Sequence, residues 1–529
     1  MLLRDLLEFA AARYPANVAL VDGQRRYTYA EWDQRVNAIA HALRELGVRR
    51  GDRVVQVIKN REENCAIHMA CQKLGATNTP INFRWASGEV EYCVNDAEAR
   101  LVVLEDATAE VVLAARERLR SGPRFLFVGP NPPADTVPFD EIVAAAPRSR
   151  PEASVEPSDI ALMLYTSGTT GRPKGVPRSQ DNEYAATIGQ IVQHRYVPGE
   201  RTLGVMPLYH TMGMHSLTAM LALNGLFVAM PDWEPLEALE IIQRERLTCL
   251  YLVPTLFHML VHAPAFAAHD TSSVRKLSYA GAPMMSTLVE TCLQKFQPEV
   301  FVNHYGSTEV YTFAIYPEPW RKPGCAGRAA FHTALRVVRA DPEATVRPDE
   351  VLSSGETGEI IVSLASPEAF RGYYNRPDAT ARAIREGWYF TGDTGYIDQD
   401  GDLWVTGRVD DMIITGGENV HPIEVEDVLA RHPDVVEVAV VGLPDERWGQ
   451  VVTAFIVPGR ADLTAEEIDA YTRTSTNLAR FKRPRNIIFV QELPKSPVGK
   501  ILRRKLMAGE YDDYDPLRRR VPSMGAEDT

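Results

Sequence analysis

A layered α/β fold with a separate small C-terminal unit is what this sequence predicts, and three patterns predict it. Short apolar runs at 54–58, 101–104 and 125–128 alternate with helical or loop segments, the arrangement of parallel strands joined by crossovers. Between 334 and 365 the strand signals shorten and turns become frequent, as at 355–362, which marks a small β-rich subdomain. The final ~120 residues alternate helix and strand on their own account, at 422–431, 436–441, 451–457, 465–474 and 487–490, and have the size of a small α+β domain.

Taken in order, the first residues form an amphipathic helix, since charges at Arg4, Asp5 and Glu8 interrupt what a secretory leader keeps apolar. Thr28 and Glu31 make a capping box, followed by Trp32, Val36, Ile39, Leu43 and Leu46 at helical spacing up to Gly47. The acidic, Pro-rich stretch 130–158 reads as a surface excursion. A helix over 181–193 and strands at 203–206, 227–230 and 249–253 continue the alternation.

Size and charge narrow the function classes. A chain of 529 residues exceeds one ordinary domain, and 45% hydrophobic residues supply sizeable cores. The net charge of −13, without a sustained Lys/Arg run, excludes an electrostatic footprint for nucleic acid and favours a metal-bound nucleotide over a bare polyanion. The six cysteines show no zinc-like spacing and read as reduced thiols in the core. The most apolar segment, 217–230, is broken by Asn224 and Gly225 and is short of a membrane span. A cytoplasmic protein is expected.

Chemistry concentrates in five clusters. Residues 164–176 combine five hydroxyl side chains, three glycines and two cations directly after the apolar run 160–164. Glycines let backbone N–H groups approach an anion, hydroxyls add donors and Lys174 adds compact charge, so the loop suits phosphate. Pro173 before Lys174 excludes the usual P-loop pattern. The string Tyr165-Thr166-Ser167-Gly168-Thr169-Thr170-Gly171-Arg172-Pro173-Lys174-Gly175 resembles the signature of the adenylate-forming enzymes: acyl-CoA synthetases, luciferases and peptide-synthetase adenylation domains. Four further clusters match that family in order: Tyr305-Gly306-Ser307-Thr308-Glu309, Thr391-Gly392-Asp393, Gly407-Arg408-Val409-Asp410, and Pro494-Lys495 with Gly499-Lys500.

The resemblance implies a fold and a division of labour. It predicts an N-terminal domain over 1–409 that binds ATP and the acyl group, and a mobile lid over 410–529 hinged at Asp410. Thr166, Ser167, Gly168, Thr169, Thr170, Gly171 and Lys174 are expected to hold the pyrophosphate end of ATP. Tyr305 and Gly306 are expected to bind ATP, Thr308 to lie near the α-phosphate as a catalytic residue, Asp393 to bind the ribose, Arg408 the ribose or phosphate, Glu309 to reach Mg2+, and Lys500 to be the catalytic adenylation lysine.

Acceptor and acid follow from the same source. The segments 416–422, 445–450 and 481–484 resemble acyl-CoA ligases, particularly the 4-chlorobenzoate type. By position Arg84 and Arg483 would bind CoA phosphates, Trp448 and Phe481 its nucleotide, and Gly416 and Gly417 its pantetheine arm. Aromatic faces, guanidinium forks and small glycines suit those parts. His210 would adjoin the acid, with Tyr184, Thr211, Met212, Ala280, Gly281, His304, Tyr305 and Tyr311 lining the acyl pocket; His215 reads as structural. Where the 4-chlorobenzoate type is apolar, His304 and Thr211 add polarity, which predicts benzoate, hydroxybenzoate or furoate rather than a halogenated ring. A medium-chain or alicyclic acid is the alternative. A luciferase-type oxygenase, a peptide-synthetase module, for which no carrier domain follows, and a non-catalytic nucleotide-binding homologue are the competing classes; the presence of Glu309 and Lys500 disfavours the last. The expected partners are a carboxylic acid, ATP and CoA, and a homodimer remains open.

Overall fold

The computed structural model describes residues 2–166, 172–340, 346–409, 411–415, 418–420, 422–445, 447–474, 478–495 and 501–514. Two compact units emerge: residues 1–335 with 362–390, and residues 336–361 with 391–529.

The first unit holds two predominantly parallel sheets. In one, Val18–Asp22, Leu226–Ala229, Arg201–Gly204, Cys249–Leu252, Lys276–Tyr279 and Val300–Tyr305 lie side by side in that order, all parallel. Ala314–Tyr316 then folds back antiparallel on Val300–Tyr305, pairing Ile315 with His304. The other sheet has seven strands in the order Val137–Pro138, Arg124–Val128, Leu101–Glu105, Arg53–Val57, Thr77–Pro80, Ile160–Thr166 and Lys174–Ser179, with only the last antiparallel.

Helices fill the space between the sheets. Tyr29–Glu45 starts at the Thr28 cap, whose side chain accepts from the Glu31 N–H, and ends before Gly47, whose φ of +89° closes the turn. Its Trp32, Val36, Ile39 and Leu43 share one core with Ile67, Met69 and Cys71 of Glu62–Leu74, with Leu217 of Thr211–Ala222, and with Leu20, Phe227, Leu101, Leu126 and Leu162 from both sheets. All six cysteines are buried free thiols. The stretch 130–158 is more than an excursion: Val137–Pro138 extends the second sheet, and Phe139–Ala145 buries Phe139 and Val143. Those two apolar residues, four apart, form the single face that a short helix needs.

In the second unit, residues beyond 411 carry their own sheet, in which Val435–Asp445 and Gly449–Pro458 form a long antiparallel hairpin and Asn486–Phe489 adds in parallel. Ile413, Val425, Leu429, Val440, Val452 and Ile468 make one core there, and Ala439, Phe455, Val490 and Leu506 another. Among the described residues no helix is long and apolar enough to cross a membrane.

A polar layer crosses the core of the first unit. Gln56 Nε2 donates to Asn78 Oδ1 at 2.7 Å, and Asn78 Nδ2 donates to His68 Nδ1 at 3.0 Å. Nδ1 therefore accepts and Nε2 carries the proton, in a site where burial pushes the imidazole down to about 4. A histidine depressed in the folded state contributes stability that is complete above its unfolded pKa, about 6.5, and is lost as pH falls toward 4. The stability of the wild-type chain should fall across that window, and His68→Leu should flatten the fall by up to about 3 kcal/mol; parallel denaturation curves for the two proteins from pH 6.5 to 4 would contradict this.

Candidate functional site

The Gly/Thr-rich loop hangs from a hairpin. Register pairs Thr166 with Lys174 and Tyr165 with Gly175, so the loop leaves and re-enters the sheet at adjacent points. Gly175 has little room for a side chain, since a Cβ there would lie 3.2 Å from Met163 Sδ and 3.3 Å from Tyr374 Cβ. Lys174 Nζ stands 4.2 Å from the centre of the Tyr373 ring. The expected phosphate ligands Ser167, Gly168, Thr169, Thr170 and Gly171 lie outside the described residues.

The second cluster is a tight reversal after Val300–Tyr305. Phe313 N–H donates to Tyr305 O at 2.8 Å and Ser307 N–H to Val310 O at 3.1 Å. Gly306 is obligatory, because a Cβ would sit 1.8 Å from the Tyr311 carbonyl oxygen. The turn buries Glu309, whose Oε1 accepts the Tyr373 hydroxyl at 2.7 Å. Among the described residues that phenol is the one donor to this carboxylate, and no cation pairs with it. A buried carboxylate held by a single neutral donor suits a hard divalent cation such as Mg2+, which takes oxygen ligands.

Arg178 binds these pieces together. It is fully buried, forms an ion pair with Glu183, and donates from Nη1 to Thr308 O at 2.9 Å and Glu368 O at 3.1 Å. Burial works to raise the Glu183 carboxyl, but Arg178 and His215 outweigh it and hold the group below the ordinary carboxylate range.

Next to this turn lies a buried aromatic and imidazole cluster. His304 Nε2 faces the Tyr311 carbonyl at 3.2 Å, and a carbonyl only accepts, so Nε2 carries the proton. His304 Nδ1 then accepts from His194 Nε2 at 3.0 Å, and His194 Nδ1 accepts from the Tyr196 hydroxyl at 3.4 Å. Burial pushes His304 down to about 4 and lowers His194 well below its ordinary value, so both rings are neutral near pH 7. Tyr251 stacks on His304 with centroids 5.7 Å apart, and the Tyr311 hydroxyl donates to Gln190 Oε1 at 2.9 Å. Met206, Met212, Tyr251, Ala280 and Met284 share one apolar cluster. Gly281, at φ +85°, turns the chain after Ala280.

The expected acyl residues Met212, Ala280, His304 and Tyr311 thus meet around Tyr251, joined by His194, Gln190 and Tyr196, which the sequence did not single out. Polar residues 183, 187 and 190 on Gln180–Gln193, and His194 at its C-cap, recur at helical spacing, and that was the available signal. His215 Nδ1 meets Thr211 O at 3.0 Å and its ring stacks on Tyr311. Tyr184 is a correction. It lies with Leu6, Phe9, Arg13, Ile188 and Ala222 in a surface groove beside the N-terminal helix, because position 184 is turned about 100° from Glu183 on the same helix. His210, half-buried, precedes Thr211–Ala222 and packs on Tyr209, which meets Phe83 edge-on while Arg84 lies over the Phe83 ring at 4.5 Å.

In the second unit, Asp393 and Arg408 are opposite each other on antiparallel strands and form an ion pair, Nη1 to Oδ1, at 2.5 Å. Gly392, at φ +71°, leaves room for that guanidinium: a Cβ would lie 2.9 Å from Arg408 Nη2. Trp448 is flanked by Arg447 at 4.9 Å and Arg485 at 4.4 Å, and Arg485 is a cation the sequence did not flag. Phe481 is 36% exposed, with Lys482 Nζ 5.6 Å from its ring, and Arg483 follows that short turn. Lys495 and Ile501 pair as an antiparallel bridge; Lys500, Asp410, Gly416 and Gly417 lie outside the described residues.

Comparison with known proteins shows the family. Residues 7–374 match the AMP-binding enzyme family, and residues 424–500 match the AMP-binding enzyme C-terminal domain. A 4-chlorobenzoate–CoA ligase of Arthrobacter is 34% identical over 95% of this chain and 94% of its own. A long-chain-fatty-acid–CoA ligase of Mycobacterium tuberculosis is 33% identical over 91% and 92%. The structure of the anthranilate CoA ligase AuaEII with anthranoyl-AMP superposes with a TM-score of 0.87 at 27% identity, covering 96% of this chain and 97% of that one. With the family model spanning most of its length, the chain belongs to the AMP-binding enzymes, the adenylate-forming superfamily.

Proposed function

We propose that this protein is an AMP-forming acid–CoA ligase that activates a compact aromatic or heteroaromatic carboxylic acid through an acyl-adenylate and passes the acyl group to coenzyme A. The enzyme class rests on the family match and on full-length likeness to CoA ligases. The observation that supports the choice of acid is the buried His194–His304–Tyr251–Tyr311 cluster, aromatic rings whose edges carry hydrogen-bonding groups. Buried polar groups select acids that pair with them.

The residues divide the work. Thr166, Lys174 and the loop between them hold the departing pyrophosphate, and Glu309 would hold Mg2+. When bound, the metal neutralises charge on the leaving group. Thr308, fixed through its carbonyl by Arg178, is assigned to the α-phosphate. Asp393 and Arg408 take the ribose, and Lys500 steadies the charge that develops as the carboxylate oxygen attacks phosphorus and pyrophosphate leaves. His210 adjoins the acid. We place the domain boundary at 409/410, with Asp410 as the hinge, a view supported by the self-contained cores beyond residue 411. Trp448 with Arg447 and Arg485, together with Phe481, Arg483, Arg84, Gly416 and Gly417, is assigned to CoA. We place the enzyme in the cytoplasm.

Lys500→Ala should abolish adenylate formation and leave thioester formation from supplied acyl-AMP largely intact; separate assays of the two half-reactions check this, and equal loss in both would refute the division. Across a panel of acids, kcat/KM should be highest for benzoate-sized ring acids and fall for aliphatic chains beyond about eight carbons. The fatty-acid relative supplies the competing expectation, and a preference for palmitate in a pyrophosphate-release assay would refute the assignment.

A further inference from the structure

We propose that Tyr373 is a positioning residue for adenylation, one that aims the Glu309 carboxylate and the Lys174 ammonium at the metal-bound triphosphate. The inference rests on the reading of Glu309 as the metal ligand.

Three contacts carry it. The Tyr373 hydroxyl donates to Glu309 Oε1 at 2.7 Å, and both side chains are buried. Its ring face receives Lys174 Nζ, 4.2 Å from the centroid. Its backbone is fixed on both sides: Phe370 N–H donates to Glu309 O at 2.8 Å and Tyr374 N–H to Gly175 O at 2.9 Å. One side chain therefore reaches the carboxylate of the turn and the lysine of the loop at once.

The chemistry of a phenol suits this position. An Arg or Lys on Glu309 would form an ion pair and cancel the charge that must attract a cation. A neutral hydroxyl orients one oxygen and leaves the negative charge in place. The π face in turn receives the Lys174 ammonium, 4.2 Å from the ring centre, as a cation–π contact. Tyr373 thereby ties the carboxylate of the turn and the ammonium of the loop to one side chain. The residue is itself pinned, with its N–H donating to Thr380 Oγ1 at 2.9 Å and Gly372, at φ +137°, packed against the Thr380 side chain.

The test uses the full chain, with Mn2+ as the probe and a non-hydrolysable methylene analogue of ATP present, and reads metal binding by electron paramagnetic resonance. Tyr373→Phe keeps the ring in its core and should weaken Mn2+ binding about tenfold or more. It should raise by a similar factor the Mg2+ concentration that half-saturates acid-dependent pyrophosphate release, and excess Mg2+ should restore most of kcat. A merely structural defect would depress the rate at every metal concentration. Wild-type Mn2+ affinity in Tyr373→Phe, with affinity lost in Glu309→Gln, would overturn the positioning role alone. Wild-type affinity in Glu309→Gln would overturn the metal reading beneath it.

Discussion

The geometry of the first unit depends on one buried cation. Arg178 has no exposed surface, and its guanidinium joins Glu183 on the following helix, the Thr308 carbonyl in the turn after a central strand, and the Glu368 carbonyl in the segment that carries Tyr373. A charge removed from water this completely is tolerable only when its partners are held in place, and losing one of them leaves an uncompensated ion. The contacts that compensate the Arg178 charge therefore hold three chain segments in register. The loop strand, the Thr308-Glu309 turn and the Tyr373 segment are presented together because each meets that side chain or lies within a few residues of one that does.

Around this fixed point charged and neutral side chains fall on different sides. On one side stand Lys174 and Glu309, opposite in sign and both in contact with Tyr373, suited to a metal-bound polyanion. On the other stand His304, His194, Tyr251 and Tyr311, deeply buried rings packed on one another, with both imidazoles neutral because burial lowers them. The protonation pattern there follows from one carbonyl: Tyr311 O accepts from His304, and the tautomer of each next ring follows. His215 connects the two sides, stacking on Tyr311 while facing Glu183.

Much of this was legible in the sequence, for identifiable reasons. The hydroxyl- and glycine-rich loop has a composition suited to phosphate, Glu309, Asp393 and Arg408 stand in motifs that resemble those of the adenylate-forming family, and the helix at Thr28 declares its own cap. Less legible was polarity turned inward. Glu183, Thr187, Gln190 and His194 are polar yet all four are buried, because Arg178 from the preceding strand and Thr218, Tyr311 and His304 from distant segments meet them. Tyr184, one position from Glu183, failed as a pocket residue because a single helical step turns a side chain onto another face. Tyr373 carried no signal of its own; its meaning lies wholly in what meets it in three dimensions.

The central claim is that this architecture forms an acyl-adenylate before any thiol takes part. The most direct measurement is exchange of labelled pyrophosphate into ATP by the purified chain without CoA. The account predicts exchange that requires both Mg2+ and a ring acid, with net AMP release only when CoA is added. Exchange independent of acid, or cleavage of ATP to ADP and phosphate, would contradict it.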